Sequence, residues 1–123
     1  MEVGDIFLMD YPYPPKKHYH IVVADINENG VVLLAFISSI KQGIEHDDSC
    51  VLRKGDLSFI QHDSYVVYEK LMLMQKEYVE NKGYKYVGKC DERTLSRVLD
   101  GAKKSKYTKP YLLKYFDKTT NNH

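Results

Sequence analysis

The sequence has no tryptophan and only two cysteines, Cys50 and Cys90, in 123 residues. Two isolated thiols cannot staple a disulfide scaffold, and they lack the close paired spacing of a structural zinc site. They read as a reduced pair, the usual state in the cytosol. Long apolar runs are missing as well. The longest, Val31 to Ile37, is far short of the roughly 20 residues that a membrane span needs. The opening Met1-Glu2-Val3-Gly4-Asp5 has no basic stretch followed by an apolar one, so no signal peptide is expected. No internal repeat, linker or low-complexity segment is visible. Proline is scarce, yet three of the four prolines, Pro12, Pro14 and Pro15, fall in one short loop.

What remains is an ordinary globular composition, 43% hydrophobic and 28% charged. Its length suits one domain over residues 1–116, with a frayed tail over 117–123. The net charge of +1 hides an asymmetry: residues 1–81 hold 7 Lys and Arg against 13 Asp and Glu, and residues 82–123 hold 11 against 4. The basic second part is either a solvated helix surface or a face for nucleic acid or an acidic peptide.

Asp5 to Tyr11 alternates as a strand, and the prolines that follow stop any ladder because they offer no N–H. His20 to Ile26 predicts a second strand. Asn29-Gly30 predicts a hairpin turn into a third, Val31 to Ser38, buried on both faces. Ser39 to Ser49 reads as loop, Cys50 to Arg53 as a short strand, and Ser64 to Met74 as one long strand. Gln75 to Lys82 is ambiguous between helical turn and loop, and Tyr84 to Gly88 suits a short strand. Leu95, Val98, Leu99 and Ala102 then form the stripe of an amphipathic helix that Asp91 can cap. Thr108-Lys109-Pro110 can open another short helix, with Leu112, Leu113 and Phe116 on its apolar side. Strands first and helix last predict a mainly β, α+β fold: a small antiparallel β-barrel of SH3-like type closed by a C-terminal amphipathic helix. The loop between the first two strands places Lys16, Lys17 and His18 at the barrel mouth.

Four segments carry a family resemblance. Gly4-Asp5-Ile6-Phe7-Leu8-Met9-Asp10 looks like a Gly-Asp-Ile-Val-Leu-Val-Asp opening strand, and His18-Tyr19-His20-Ile21-Val22-Val23 stands where Arg-Pro-Ala-Leu-Val-Leu would. Ala35-Phe36-Ile37-Ser38-Ser39 is similar to a Pro-Ile-Thr-Ser strand end, and Asp63-Ser64-Tyr65-Val66-Val67-Tyr68-Glu69-Lys70 to Asp-Ser-Val-Val followed by an Asp-Gln pair. In this order, with the closing helix, the chain resembles the MazF/PemK-like toxins of CcdB/Kid type over about residues 3–102. The resemblance implies the CcdB-type barrel. It also implies a homodimeric endoribonuclease that needs no metal or other cofactor, cleaves single-stranded RNA, and is held inactive by an antitoxin. The family places a basic residue in the first loop, an Arg just after it, a Thr or Ser at the end of the third strand, and in some members an acid on a later strand. Carried over, the catalytic positions are His18, Ser38 and Glu69. The chain departs from the pattern where His18 replaces the Arg, because neither His nor Lys reproduces a bidentate guanidinium clamp.

The residue types suffice for cleavage by the RNA's own 2′-hydroxyl. Imidazole serves as base or acid, and cations and hydroxyls stabilise the phosphorane. His18 supplies the ring, Lys16 and Lys17 meet the phosphate, Ser38 and Ser39 donate to it, and Glu69 orients a histidine or acts as the second acid/base group. His20 shares a strand face with His18, and Tyr19, with Tyr11 and Tyr13, offers rings for stacking on bases. Each has a plainer alternative: His20 as an edge residue, Ser38 as a strand-end cap, Glu69 as a solvent-facing strand residue, the tyrosines as a dimer interface or barrel rim. His62-Asp63-Ser64 is a turn, since consecutive residues cannot meet as a triad. His18-x-His20, His46, Asp47, Asp48, Cys50 and His62 are metal-ligand types without metal spacing, and none is assigned to a metal. The alternative to a nuclease is the same barrel without catalysis, binding nucleic acid or protein.

Overall fold

The computed structural model describes residues 1–26 and 30–120. Three strands form its centre: β1 (Asp5–Met9), β2 (His18–Ile26) and β3 (Val31–Ser39). They pair antiparallel in chain order, with Ile6 opposite Ile21 and Ile21 opposite Ala35. The hairpin predicted at Asn29-Gly30 falls partly outside the described residues; Gly30 itself has φ 64°, the left-handed conformation such a turn requires.

Alternation along β3 explains why its sequence is an unbroken apolar run. Leu33, Ala35 and Ile37 point into one core with Ile21 and Val23, whereas Val32 and Leu34 point into a second core with Met9 and Val22. Both faces are covered, so neither can be polar. The larger core is roofed by α2 (Glu92–Lys104) through Val98, Leu99 and Ala102, by α3 (Leu113–Thr120) through Phe116, and by Leu112 just before α3. The smaller core takes Val79 from α1 (Lys76–Lys82), which resolves the ambiguous stretch as helix ended by Gly83.

α2 starts where its sequence says it should. Asp91 accepts a hydrogen bond from the Thr94 N–H at 2.8 Å, a cap worth about 1 kcal/mol. A 3-10 turn at Pro110–Leu112 leads into α3, which runs to Thr120 and so into the stretch read from the sequence as a tail. Cys50 and Cys90 are buried free thiols, and burial pushes Cys90 up to about 12.

The run from Ser64 to Met74 departs from expectation. It forms β5 (Ser64–Val66), a 3-10 turn (Tyr68–Lys70) and β6 (Met72–Gln75) instead of one strand. β5 pairs the end of β3 and β6 its beginning, with Ser39 opposite Ser64 and Val31 opposite Gln75. Residues 64–75 thus outnumber the facing residues 31–39 by three, and the 3-10 turn absorbs the excess. Tyr68 fixes the break: its ring is buried and its hydroxyl donates to the Val98 carbonyl of α2 at 2.5 Å.

β4 (Val51–Leu52) and β7 (Lys85–Lys89) complete a seven-stranded sheet of order β4-β5-β3-β2-β1-β7, with β6 also on β3. The mainly β, α+β architecture is as read from the sequence, but the sheet is open. β4 and β7 lie at opposite ends of that order, so the sheet is open between them and capped by helices, and the closure of the expected barrel does not follow from this pairing.

Candidate active-site cleft

Two strand ends and three loops build the cleft. The proline-rich loop is pinned by a hydrogen bond from the Lys16 N–H to the Tyr13 carbonyl at 2.9 Å, which delivers Lys16 and Lys17 to the start of β2. His20 pairs with Phe36 across β2 and β3. Lys16, Lys17, His18, Tyr19, Ser38 and Ser39 all line one cavity of about 490 Å³. The loops after β3 and before β5 close it with Lys41, Phe59 and His62.

Phe36 is the platform under the imidazole. Its buried ring meets His18 edge to face, with centroids 4.9 Å apart. Tyr19 stacks on Phe59 at 4.0 Å and forms one wall. Burial holds the His18 pKa below its usual value, and the charges of Lys16 and Lys41 lower it further. His18 is therefore a neutral ring at pH 7. Its Nδ1 is buried without a hydrogen-bond partner. A neutral imidazole among Lys16, Lys17 and Lys41, with no carboxylate in the lining among the described residues, suits an anion that carries a removable proton nearby.

Two of the expected residues lie elsewhere. His20 is fully buried and stacks on Phe36 at 5.7 Å. Its Nδ1 is 2.8 Å from the His18 carbonyl, and since a carbonyl only accepts, Nδ1 carries the hydrogen. Burial lowers its pKa to about 4. His20 thus lies behind the cleft against the backbone of His18, buried rather than at the surface where an RNA contact is expected. Glu69 lies in the 3-10 turn and lines a different cavity, of about 1080 Å³, with His46, Asp47, Tyr65, Lys104 and Tyr107. The three extra residues between β5 and β6 carry it away from the position that an uninterrupted strand would give it.

Lys41, Phe59 and His62 are among the cleft residues that sequence reasoning missed. Lys41 follows Ser38-Ser39 by two residues, a cation next to expected phosphate donors, and that spacing was the available signal. His62 gave no signal beyond its residue type. Among the described residues no three His, Cys, Asp or Glu side chains are grouped so as to hold a metal ion.

The family model of PemK-like, MazF-like toxins of type II toxin–antitoxin systems matches residues 2–105. The chain belongs to this toxin family. No individual curated protein matches it. For a PemK-like toxin the match covers everything from β1 to the end of α2, including each residue of the cleft, and stops before the 3-10 turn at Pro110 and α3. Membership implies an antitoxin as partner. Among the described residues no helix of this toxin is long and apolar enough to cross a membrane.

Proposed function

We propose that this toxin is an endoribonuclease that cleaves single-stranded RNA through the RNA's own 2′-hydroxyl, without a metal. The observation that carries the reading is the convergence of a neutral His18, the cations Lys16, Lys17 and Lys41, and the hydroxyls Ser38 and Ser39 on one cavity of about 490 Å³.

In this mechanism a phosphodiester sits among the three lysines. His18 removes the proton from the 2′-hydroxyl, and the freed oxygen attacks the adjacent phosphorus. Ser38 and Ser39 donate hydrogen bonds to the non-bridging oxygens as negative charge gathers there. The bond to the 5′-oxygen breaks, and that oxygen takes a proton from the ring of His62, which stands in the role first given to Glu69. The products are a 2′,3′-cyclic phosphate and a free 5′-hydroxyl. His18 ends with one proton more and His62 with one fewer, so exchange with water resets both. Lysines supply charge without a guanidinium fork, and the serine hydroxyls provide the directional contacts that a bidentate Arg would otherwise make. Tyr19 offers an aromatic edge for the neighbouring base.

The toxin acts as a homodimer and is neutralised by its antitoxin in this reading; light scattering at micromolar concentration should give twice the chain mass. The direct test is incubation of the purified protein with mixed single-stranded RNA in EDTA. Fragments with cyclic phosphate ends are expected, and RNA left intact at high protein concentration overturns catalysis. One observation favours a second reading: no arginine lines the cleft. If the cleft binds RNA without cutting it, the protein is a binding module on the same fold.

A further inference from the structure

The family match ends at residue 105, but ordered chain continues. The added segment is firmly seated. Leu112 and Phe116 are buried in the larger core, and the Thr108 hydroxyl donates to the Ala102 carbonyl at 2.7 Å. Just before it, the Ser105 hydroxyl donates to Asp47 at 2.5 Å and its Oγ accepts from the Tyr107 N–H at 3.1 Å.

What this seat displays is cationic and aromatic. Lys103, Lys104, Lys106, Lys109 and Lys114 are all exposed, and no acidic residue interrupts 103–116. Among the described residues no carboxylate comes within ion-pair distance of any of the five. Tyr107 is 43% exposed and Tyr111 62%. The Lys106 ammonium lies 5.3 Å from the Tyr107 ring centre. The rest of the chain has the opposite sign: residues 1–102 carry 12 Lys and Arg against 16 Asp and Glu, and residues 103–123 carry 6 Lys against 1 Asp. A polyanion longer than the cleft would be repelled by the body and attracted by this segment.

We propose that the lysine–tyrosine surface of residues 103–114 is a second contact for single-stranded RNA, holding nucleotides that flank the bond in the cleft. The inference rests on the nuclease reading above for the identity of the polymer. Interleaved rings and cations match a single strand, in which unpaired bases stack on aromatic side chains while phosphates meet lysines. An acidic peptide would use the cations and leave the exposed rings without a role.

The test uses the full chain carrying Lys103→Gln, Lys106→Gln and Lys114→Gln together, with a melting curve to confirm that it is folded. Binding to a fluorescent 20-nucleotide single-stranded RNA should weaken about tenfold at moderate salt. The slope of log affinity against log salt should fall by about 2, near 0.7 per phosphate contact. The loss should shrink to under twofold on a pentanucleotide. Tyr111→Ala should weaken binding of the single strand and leave a duplex of equal length unchanged. Unaltered binding of the 20-mer by the triple variant overturns the inference, as does an equal loss on duplex, or an acidic peptide that binds this surface while RNA does not. Cleavage is read separately. A wild-type protein that cuts RNA while the triple variant binds it normally removes only the second contact, and one that binds long RNA through these lysines but cuts nothing removes only the nuclease.

Discussion

Ser38 and Tyr65 are register partners across β3 and β5, yet they line different clefts. The short ladder between them is a divide. On one side stand His18 and the lysines of the proline loop; on the other stand Glu69, His46 and the end of α2. Any function shared by His18 and Glu69 would have to reach across it.

The divide gives the first prediction. His18→Ala should lower RNA cleavage at least 100-fold, the lower range for loss of a positioned acid–base group, with the melting temperature close to wild type because His18 is only half-buried. Glu69→Gln should stay within about twofold of wild type. Initial rates on one defined single-stranded RNA decide both, and a Glu69 variant as inactive as His18→Ala would return Glu69 to the catalytic set.

The second prediction concerns pH. Burial and the charges of Lys16 and Lys41 lower the His18 pKa, so the base form persists below pH 6.5. Activity set by His18 should hold through neutrality and fall only as the solution becomes acid enough to protonate that ring. Lys16→Gln removes a neighbouring positive charge and makes the protonated ring less costly. The pKa rises, and the acid limb of kcat/KM moves to higher pH. Titration of the His18 ring by NMR should move the same way, and a limb that stays put or moves down would separate His18 from the rate.

Much of this was readable before any coordinates. The β1–β3 core follows from alternation and from the Gly30 turn, and α2 from its stripe and its Asp91 cap, because those signals are local. The division of residues 64–75 was not readable. Every residue there tolerates a strand, and the break is set by the buried Tyr68 reaching the Val98 carbonyl of a helix thirty residues away. The same cause explains the site. Lys16 and Lys17 directly precede, and His18, Ser38 and Ser39 lie at the ends of, strands whose pairing the sequence announces. Lys41 and His62 arrive on loops whose course depends on packing, and Glu69 left with the 3-10 turn. The barrel is read from the order of strands and helix and from the family resemblance, and element order says nothing of whether the two end strands meet.

Third, His20 should make the fold sensitive to acid. Its pKa is about 4 in the folded chain and about 6.5 when unfolded. Between those values the unfolded chain takes up a proton that the folded chain refuses. Stability is therefore full above pH 6.5 and falls as the pH drops toward 4, by at most about 3.4 kcal/mol at 1.36 kcal/mol per unit. His20→Phe keeps a ring against Phe36 and removes the titration, at the cost of the hydrogen bond to the His18 carbonyl. Urea unfolding from pH 7 to 4 should show a shallower slope for the variant, with the remainder due to His18, whose pKa is displaced in the same direction. Identical slopes would mean that His20 is not the acid-sensitive group.

The fourth prediction sets helix propensity against packing at Gly101. In an open helix, replacing glycine by alanine gains about 1 kcal/mol. Here a Cβ on Gly101 would collide with the Tyr68 hydroxyl and lie 2.9 Å from the Cys50 Cβ and 3.0 Å from the Ser49 carbonyl oxygen. Two of those neighbours are backbone or near it, and the third is fixed by its bond to the Val98 carbonyl. Packing should win, and Gly101→Ala should destabilise by about 1–3 kcal/mol, the range for overfilled cores. Tyr68→Phe removes the nearest of the three atoms. The double variant should therefore be more stable than the sum of the two single losses allows, though still short of wild type, because the contacts at Cys50 and Ser49 persist. Denaturant midpoints of the four proteins measure this coupling. A stabilised Gly101→Ala would mean that α2 can shift away from Tyr68, and a strictly additive double variant would mean that the hydroxyl is not what crowds the new methyl.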